Sequence, residues 1–159
     1  MIEIHPLSAF PHYAPVLAYW SYNQWYSKRD IPFTALVQAY IKRAHNTEIP
    51  LSWVAINEKK LPVGMASLKY NDLWSRPDLN PWLASLYIVP NYRFQGIADR
   101  LIQTIIAKTR ELGYSKLYLF EGQNDTVDLI KYYSKRGFSI LEKGIANDGN
   151  PTTIMYINL

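Results

Sequence analysis

The stretch IVPNYRFQGIADRL, residues 88–101, decides the fold of this chain. Its first residues end a predicted buried strand, and Pro90 stops the pairing because proline has no N–H to donate to a sheet. A tight turn of the form R-x-x-G-x-A follows and opens a long helix. Such a turn directs several backbone N–H groups at one point, which predicts an anion site and favours a pyrophosphate. We therefore expect the chain to bind a nucleotide-like cofactor.

Length and composition place the chain in a broad class. Its 159 residues suggest one domain, long enough to bury roughly 70% of the surface that the unfolded chain exposes. The absence of cysteine excludes disulfides, thiolate metal sites and a cysteine nucleophile. The N-terminal residues lack a secretory signal pattern, and no apolar run approaches the roughly 20 residues of a membrane span. We expect a cytoplasmic protein.

The formal net charge is +4, from 17 Lys and Arg against 13 Asp and Glu. This balance indicates either a mildly basic, solvated surface or attraction for a phosphate-rich ligand. No block of five or more basic residues occurs, so a nucleic-acid-binding arm is not indicated.

Hydrophobic periodicity predicts an alternation of strands and helices. The order is one strand, two helices, three strands, a helix–strand–helix segment and two closing strands, which predicts a mixed α/β layer architecture. Gly137 and Phe138 are predicted to end the last helix in a Schellman cap. The predicted strands are 2–4, 51–57, 62–70, 82–89, 116–121, 139–142 and 152–158, and the predicted helices are 12–26, 32–44, 96–112 and 126–136.

Several common site motifs are missing from the sequence. There is no P-loop, no G-x-G-x-x-G, no H-E-x-x-H and no G-x-S-x-G. The three histidines are scattered and are interpreted as surface or core residues, so no metal site is expected.

Two landmarks resemble the GNAT family of N-acetyltransferases. The first is Val89-Pro90 followed by the R-x-x-G-x-A turn at residues 93–98. The second is Tyr133, four residues before Gly137-Phe138 at the end of the next helix. The resemblance implies one N-acetyltransferase domain over residues 1–159. It also implies a mixed, mostly antiparallel sheet of about six or seven strands, flanked by about four helices and splayed at the strand before the turn.

The same resemblance implies acetyl-CoA as co-substrate and no metal. The pantetheine arm would pair with the backbone of Ile88 and Val89. The turn would hold the pyrophosphate, since glycine lets the backbone approach closely and the helix dipole favours negative charge. The implied cofactor residues are Ile88, Val89, Arg93, Phe94, Gln95, Gly96, Ile97, Ala98 and Asn124.

The implied reaction is direct attack of a primary amine on the thioester in a ternary complex. Tyr133 is the candidate general acid, because a thiol with a pKa near about 8.5 can accept a proton from a hydrogen-bonded phenol. The strand at 82–89 carries no carboxylate, so Asp72 and Glu121 are alternative bases. Trp25 and Tyr26 are candidates for the acceptor pocket.

The sequence leaves the acceptor and the assembly open. The acceptor would be a small-molecule amine or a peptide or protein amine, and the protein would be a monomer or homodimer. Two other functions compete with catalysis. One is a non-catalytic acyl-CoA-binding module, which the missing strand carboxylate favours. The other is a nucleic-acid-binding domain, which the positive charge favours more weakly.

Overall fold

The computed structural model describes residues 1–122 and 128–159. The chain forms two compact units. The first unit comprises Met1–Leu68 and Ala84–Ile105, and the second comprises Lys69–Leu83 and Ile106–Leu159. The expectation of one N-acetyltransferase domain over residues 1–159 stays a prediction.

The first unit holds the N-terminal strands and helices, together with most of the fourth strand and the start of the third α-helix. Its elements are β1 (Glu3–Pro6), α1 (Ala14–Ser21), α2 (Phe33–His45), β2 (Leu51–Ile56), β3 (Pro62–Lys69), β4 (Trp82–Ile88) and α3 (Ile97–Glu111).

The second unit holds the end of α3 and the C-terminal elements. These are β5 (Lys116–Gly122), α4 (Leu129–Ser134), β6 (Ser139–Ile145) and β7 (Pro151–Asn158). No helix in the two described ranges has the length and apolar composition needed to cross a bilayer.

The described residues form a seven-stranded sheet with the order β1-β2-β3-β4-β5-β7-β6. β1 with β2, β2 with β3, β5 with β7, and β6 with β7 are antiparallel pairs. β4 pairs in parallel with β5 at Trp82 and Tyr118. With four α-helices in the described ranges, this confirms the predicted mixed, mostly antiparallel fold.

The first unit has its own apolar core, in which α1 and α2 pack on β2 and β3. Leu17, Tyr40 and Met65 are fully buried or nearly so. The Tyr40 hydroxyl lies 2.6 Å from the hydroxyl of Ser21, which satisfies both polar groups inside the core.

The predicted helix at 12–26 is present as three consecutive helical segments, which begin with a 3-10 turn at Pro11–Tyr13. Regular α-helix ends at Ser21, and Tyr22–Tyr26 forms one wider π-helical turn. A π turn has more residues than an α turn, so it rotates the following side chains around the axis. Gln24, which lies in this turn, is exposed.

The second unit is built around Trp82, which is fully buried. Its indole N–H donates to the Leu79 carbonyl at 2.7 Å, and its ring packs against Tyr118 and Phe120. These contacts of Trp82 fix the loop that precedes β4. Asn147 fixes the same loop from the β6–β7 connection, since its side chain bonds the backbone of Asp72 and Trp74 at 2.8 and 2.9 Å.

The end of α4 has the predicted Schellman geometry. Gly137 has φ +95°, and the Phe138 N–H reaches the Tyr133 carbonyl at 3.2 Å. The rings of Phe138 and Tyr133 lie 5.8 Å apart, which is the apolar contact that accompanies this cap. The cap therefore fixes the position of Tyr133 at the end of its helix.

We expect Gly137→Ala to cost about 1 kcal/mol more unfolding free energy than Gly144→Ala, measured by urea denaturation. The two positions form a matched pair, since an added Cβ would meet an isoleucine Cδ1 at 3.2 Å in both. Only Gly137 has a left-handed backbone. Equal losses in the two variants would show that the cap does not depend on that conformation.

Candidate active site

The corner between β4 and α3 is closed by two hydrogen bonds. The Val89 N–H donates to the Val63 carbonyl of β3 at 3.0 Å. Arg93 Nε donates to the Ile88 carbonyl at 2.8 Å, and the guanidinium lies 5.5 Å from the centre of the Tyr87 ring. Arg93 thus reaches back along the strand, and one of its five N–H donors is used inside the corner.

These bonds determine which strand groups are engaged. The N–H and C=O of one residue point to the same edge of a strand, and consecutive residues alternate between edges. Val89 therefore faces β3, whereas Ile88 faces the opposite edge. The Ile88 carbonyl and the Val89 N–H are both occupied within the protein.

The turn after β4 exposes its backbone. Phe94 and Gly96 have φ of +61° and +81°. A Cβ added at Gly96 would meet nothing within 4 Å, so open space lies above this glycine. Arg93, Phe94, Gln95 and Gly96 are all exposed. Phosphate oxygens can approach a backbone of this shape closely.

The helix that follows is suited to bind an anion at its start. Ile97 is 2% exposed and anchors the first turn, and Ala98 is half-buried beside it. The Arg100 N–H bonds the Gly96 carbonyl at 3.2 Å, so the N–H groups before residue 100 precede the regular intrahelical ladder. The 15-residue α3 adds its dipole, and the residues present fit a pyrophosphate.

Tyr133 is buried, with 5% of its surface exposed. Burial, and next the negative charge of Glu121, raise the pKa of its phenol well above the usual value. The phenol therefore stays protonated at physiological pH. Two predicted catalytic residues, Tyr133 and Glu121, are thus close enough to interact electrostatically in the second unit.

Asp72, the other candidate base, is held in the loop before β4. Its carboxylate lies 2.9 Å from Lys69 Nζ, and both side chains are largely buried. Its backbone carbonyl accepts the bond from Asn147. The surroundings of Asp72 are those of a residue that fixes a loop.

The candidate acceptor residues lie on the π turn of the first unit. Trp25 is 39% exposed, and Tyr26 is half-buried. The guanidinium of Arg29 lies 4.9 Å from the centre of the Tyr26 ring, in cation–π geometry. π turns of this kind are common at functional sites.

The predicted residues are distributed between the two units. The turn, Ile88, Val89 and the π turn belong to the first unit, and Tyr133, Glu121 and Asp72 belong to the second. Asn124, the remaining predicted cofactor residue, lies outside the described residues.

Sequence reasoning missed three residues that line a pocket beside Glu121. They are Lys143, Thr152 and Thr153. Their only signal in the sequence is the alternation of the closing strands, which does not reveal that β7 lies between β5 and β6.

A model of the acetyltransferase (GNAT) family matches residues 12–138. The match covers most of the chain, and the chain belongs to this family. No curated protein sequence is significantly similar to it.

Solved structures share the fold at low sequence identity. A GNAT-family acetyltransferase from Staphylococcus aureus Mu50 is 19% identical, with a TM-score of 0.71 over 100% of this chain and 99% of that chain. The NatC complex bound to Gag peptide and CoA gives 13% identity and a TM-score of 0.73, over 99% of this chain and 98% of that chain.

A third structure contains acetyl coenzyme A. It is a candidate streptothricin acetyltransferase from Bacillus anthracis str. Ames in complex with acetyl coenzyme A. It is 22% identical, with a TM-score of 0.58. The match covers 72% of this chain and 65% of that chain.

The raised pKa of Tyr133 predicts a loss of stability in alkali. Above about pH 10 the unfolded chain loses this proton while the folded chain keeps it, so unfolding becomes easier as pH rises. The slope from this one group is up to about 1.4 kcal/mol per pH unit. Urea denaturation between pH 9 and 11 should show a shallower decline for Tyr133→Phe than for the wild type. If the unfolding free energies of the two proteins declined in parallel with pH, the raised pKa of Tyr133 would be contradicted.

Proposed function

We propose that this chain is an acetyl-CoA-dependent N-acetyltransferase that acts on a primary amine by direct attack in a ternary complex. One observation supports the proposal most strongly. A left-handed glycine with open space above it, Gly96, stands at the start of a 15-residue helix in a chain of the GNAT family. That arrangement suits the pyrophosphate of coenzyme A.

In this proposal the turn and the strand before it bind the co-substrate. Backbone N–H groups from Phe94 to Ala98 face the pyrophosphate. Ile88 offers its N–H to the developing negative charge of the thioester oxygen, since Val89 already donates to Val63. When bound, acetyl-CoA supplies an acetyl group activated as a thioester.

Glu121 is proposed as the base and Tyr133 as the acid. Glu121 lines a pocket near the end of β5, and its charge acts on the Tyr133 phenol. Glu121 removes a proton from the ammonium form of the acceptor, directly or through water, and the neutral amine can then attack. Tyr133 donates its phenolic proton to the departing sulfur.

The turn can be tested without knowing the acceptor. We expect Gly96→Ala to raise the Kd for acetyl-CoA about tenfold, or about 1.4 kcal/mol, measured by titration calorimetry. The new Cβ would occupy the space above the turn and strain its backbone. Gly113→Ala is the matched control at the other end of α3, with φ +89° and nothing within 4 Å of the new Cβ. An equal effect of both substitutions would refute the proposed binding of the pyrophosphate by this turn.

The acid can be tested with an isosteric change. We expect Tyr133→Phe to lower kcat about 100-fold on any accepted amine, while the Kd for acetyl-CoA changes less than twofold. Tyr132→Phe is the control, because it removes a neighbouring hydroxyl and keeps the ring on which Arg136 lies at 3.4 Å. Full turnover by Tyr133→Phe would remove the acid role. Acetyl-CoA binding by the wild type without turnover of any amine would instead indicate a binding module.

A further inference from the structure

The second unit contains a small pocket at the end of β5. Its volume is about 240 Å³, below the roughly 300–1,000 Å³ typical of sites for drug-sized ligands. β5 contributes Glu121, β7 contributes Pro151, Thr152 and Thr153, and β6 contributes Lys143. The size suits a small metabolite.

Opposite charges share one face of the sheet at this pocket. Glu121 and Lys143 each pair directly with Thr153, one from either side, so the three side chains point the same way. Two strand spacings place the outer Cα atoms roughly 10 Å apart. Lys143 Nζ donates to Thr153 Oγ1 at 2.8 Å, which holds the ammonium group above β7 and toward Glu121.

Thr152 also lines the pocket, but its side chain does not belong to this charged face. It precedes Thr153 in β7 and pairs with Gly122 and Gly144, so its side chain points to the opposite face of the sheet. The ligand-facing groups are therefore those of Glu121, Thr153 and Lys143.

We infer that the pocket binds the acceptor as a free, zwitterionic amino acid, with its amine at Glu121 and its carboxylate at Lys143. A peptide N-terminus has an amide in place of the carboxylate, and a polyamine has no anion. Neither ligand therefore places a carboxylate beside the ammonium group of Lys143. The inference rests on the proposed acetyltransferase function and names its substrate class.

The proposed reaction transfers the acetyl group of acetyl-CoA to the amine of the amino acid. Glu121 takes one proton from the amino acid's ammonium group, directly or through water. The amine lone pair forms a C–N bond to the acetyl carbon while the C–S bond breaks, and the electron pair stays on sulfur. The nitrogen then carries one proton more than an amide nitrogen, and it releases that proton to water. The sulfur takes a proton from Tyr133, which is replaced from solvent. The products are the N-acetyl amino acid and free coenzyme A.

A matched acceptor panel tests the substrate class. The panel comprises free amino acids, the carboxamide of each and the corresponding amine without the carboxylate, together with short peptides and polyamines. Release of coenzyme A is followed with a thiol reagent, and the protein adds no background because it has no cysteine. We expect kcat/KM for the best amino acid to exceed that of its carboxamide at least tenfold. An equal or better carboxamide, or a preference for peptides, would overturn the inference.

Lys143→Gln identifies the side chain responsible. It should lower kcat/KM for the free amino acid at least tenfold and change that of the carboxamide less than twofold. Lys116→Gln is the control, since Lys116 also bonds a neighbouring strand side chain, Asn158, but lies at the opposite end of β5. An unchanged ratio of acid to carboxamide in Lys143→Gln would refute the assignment.

Failure of the proposed function has a different signature, namely no turnover with any amine in the panel, whereas turnover of peptides or polyamines alone refutes only the amino-acid inference.

Discussion

The corner between β4 and α3 depends on the hydrogen bond from Arg93 Nε to the Ile88 carbonyl. In the described part of the chain, the only pairing of β4 with β5 is at Trp82 and Tyr118, and Arg93 supplies the donor for the Ile88 carbonyl at the far end of the strand. A bond from a charged donor contributes roughly 1.5–3 kcal/mol, more than a neutral one. It fixes the path of residues 88–93 and therefore the point from which α3 starts. The direction of the free N–H groups of α3 follows from that start.

The sequence was sufficient to predict this corner where the signals are local. Pro90, Gly96 and the apolar stripe after it predicted a helix at 96–112, and α3 spans Ile97–Glu111. The bond of Arg93 could not be predicted. It depends on a turn in which Phe94, a residue with a Cβ, adopts φ +61°. Left-handed backbone is rare for such residues, and no propensity of phenylalanine indicates it.

For the candidate catalytic residues too, some features follow from local sequence signals and others depend on the tertiary structure. The cap that fixes Tyr133 followed from Gly137 and Phe138, which stand directly after the helix in the sequence. The pocket beside Glu121 depends instead on the order of β5, β7 and β6, which is a tertiary property. The predicted strand at 139–142 stopped one residue before Lys143, whereas pairing with β7 extends β6 to Ile145. Sequence periodicity alone therefore could not bring Lys143 near Glu121.

A local cost marks the proposed co-substrate turn. Phe94 holds a left-handed backbone with 97% of its surface exposed, so burial of the ring does not offset the strain. Lys60 and Ser85 are also left-handed. Lys60 lies in the tight turn between β2 and β3, where that conformation is ordinary, and Ser85 lies within β4. Polar groups in the cores, such as those of Ser21 and Tyr40, are paired, and among the described residues Thr152 Oγ1 is the exception. Strain retained at the co-substrate turn is what binding of acetyl-CoA would repay, since the ligand can supply interactions that the free protein lacks.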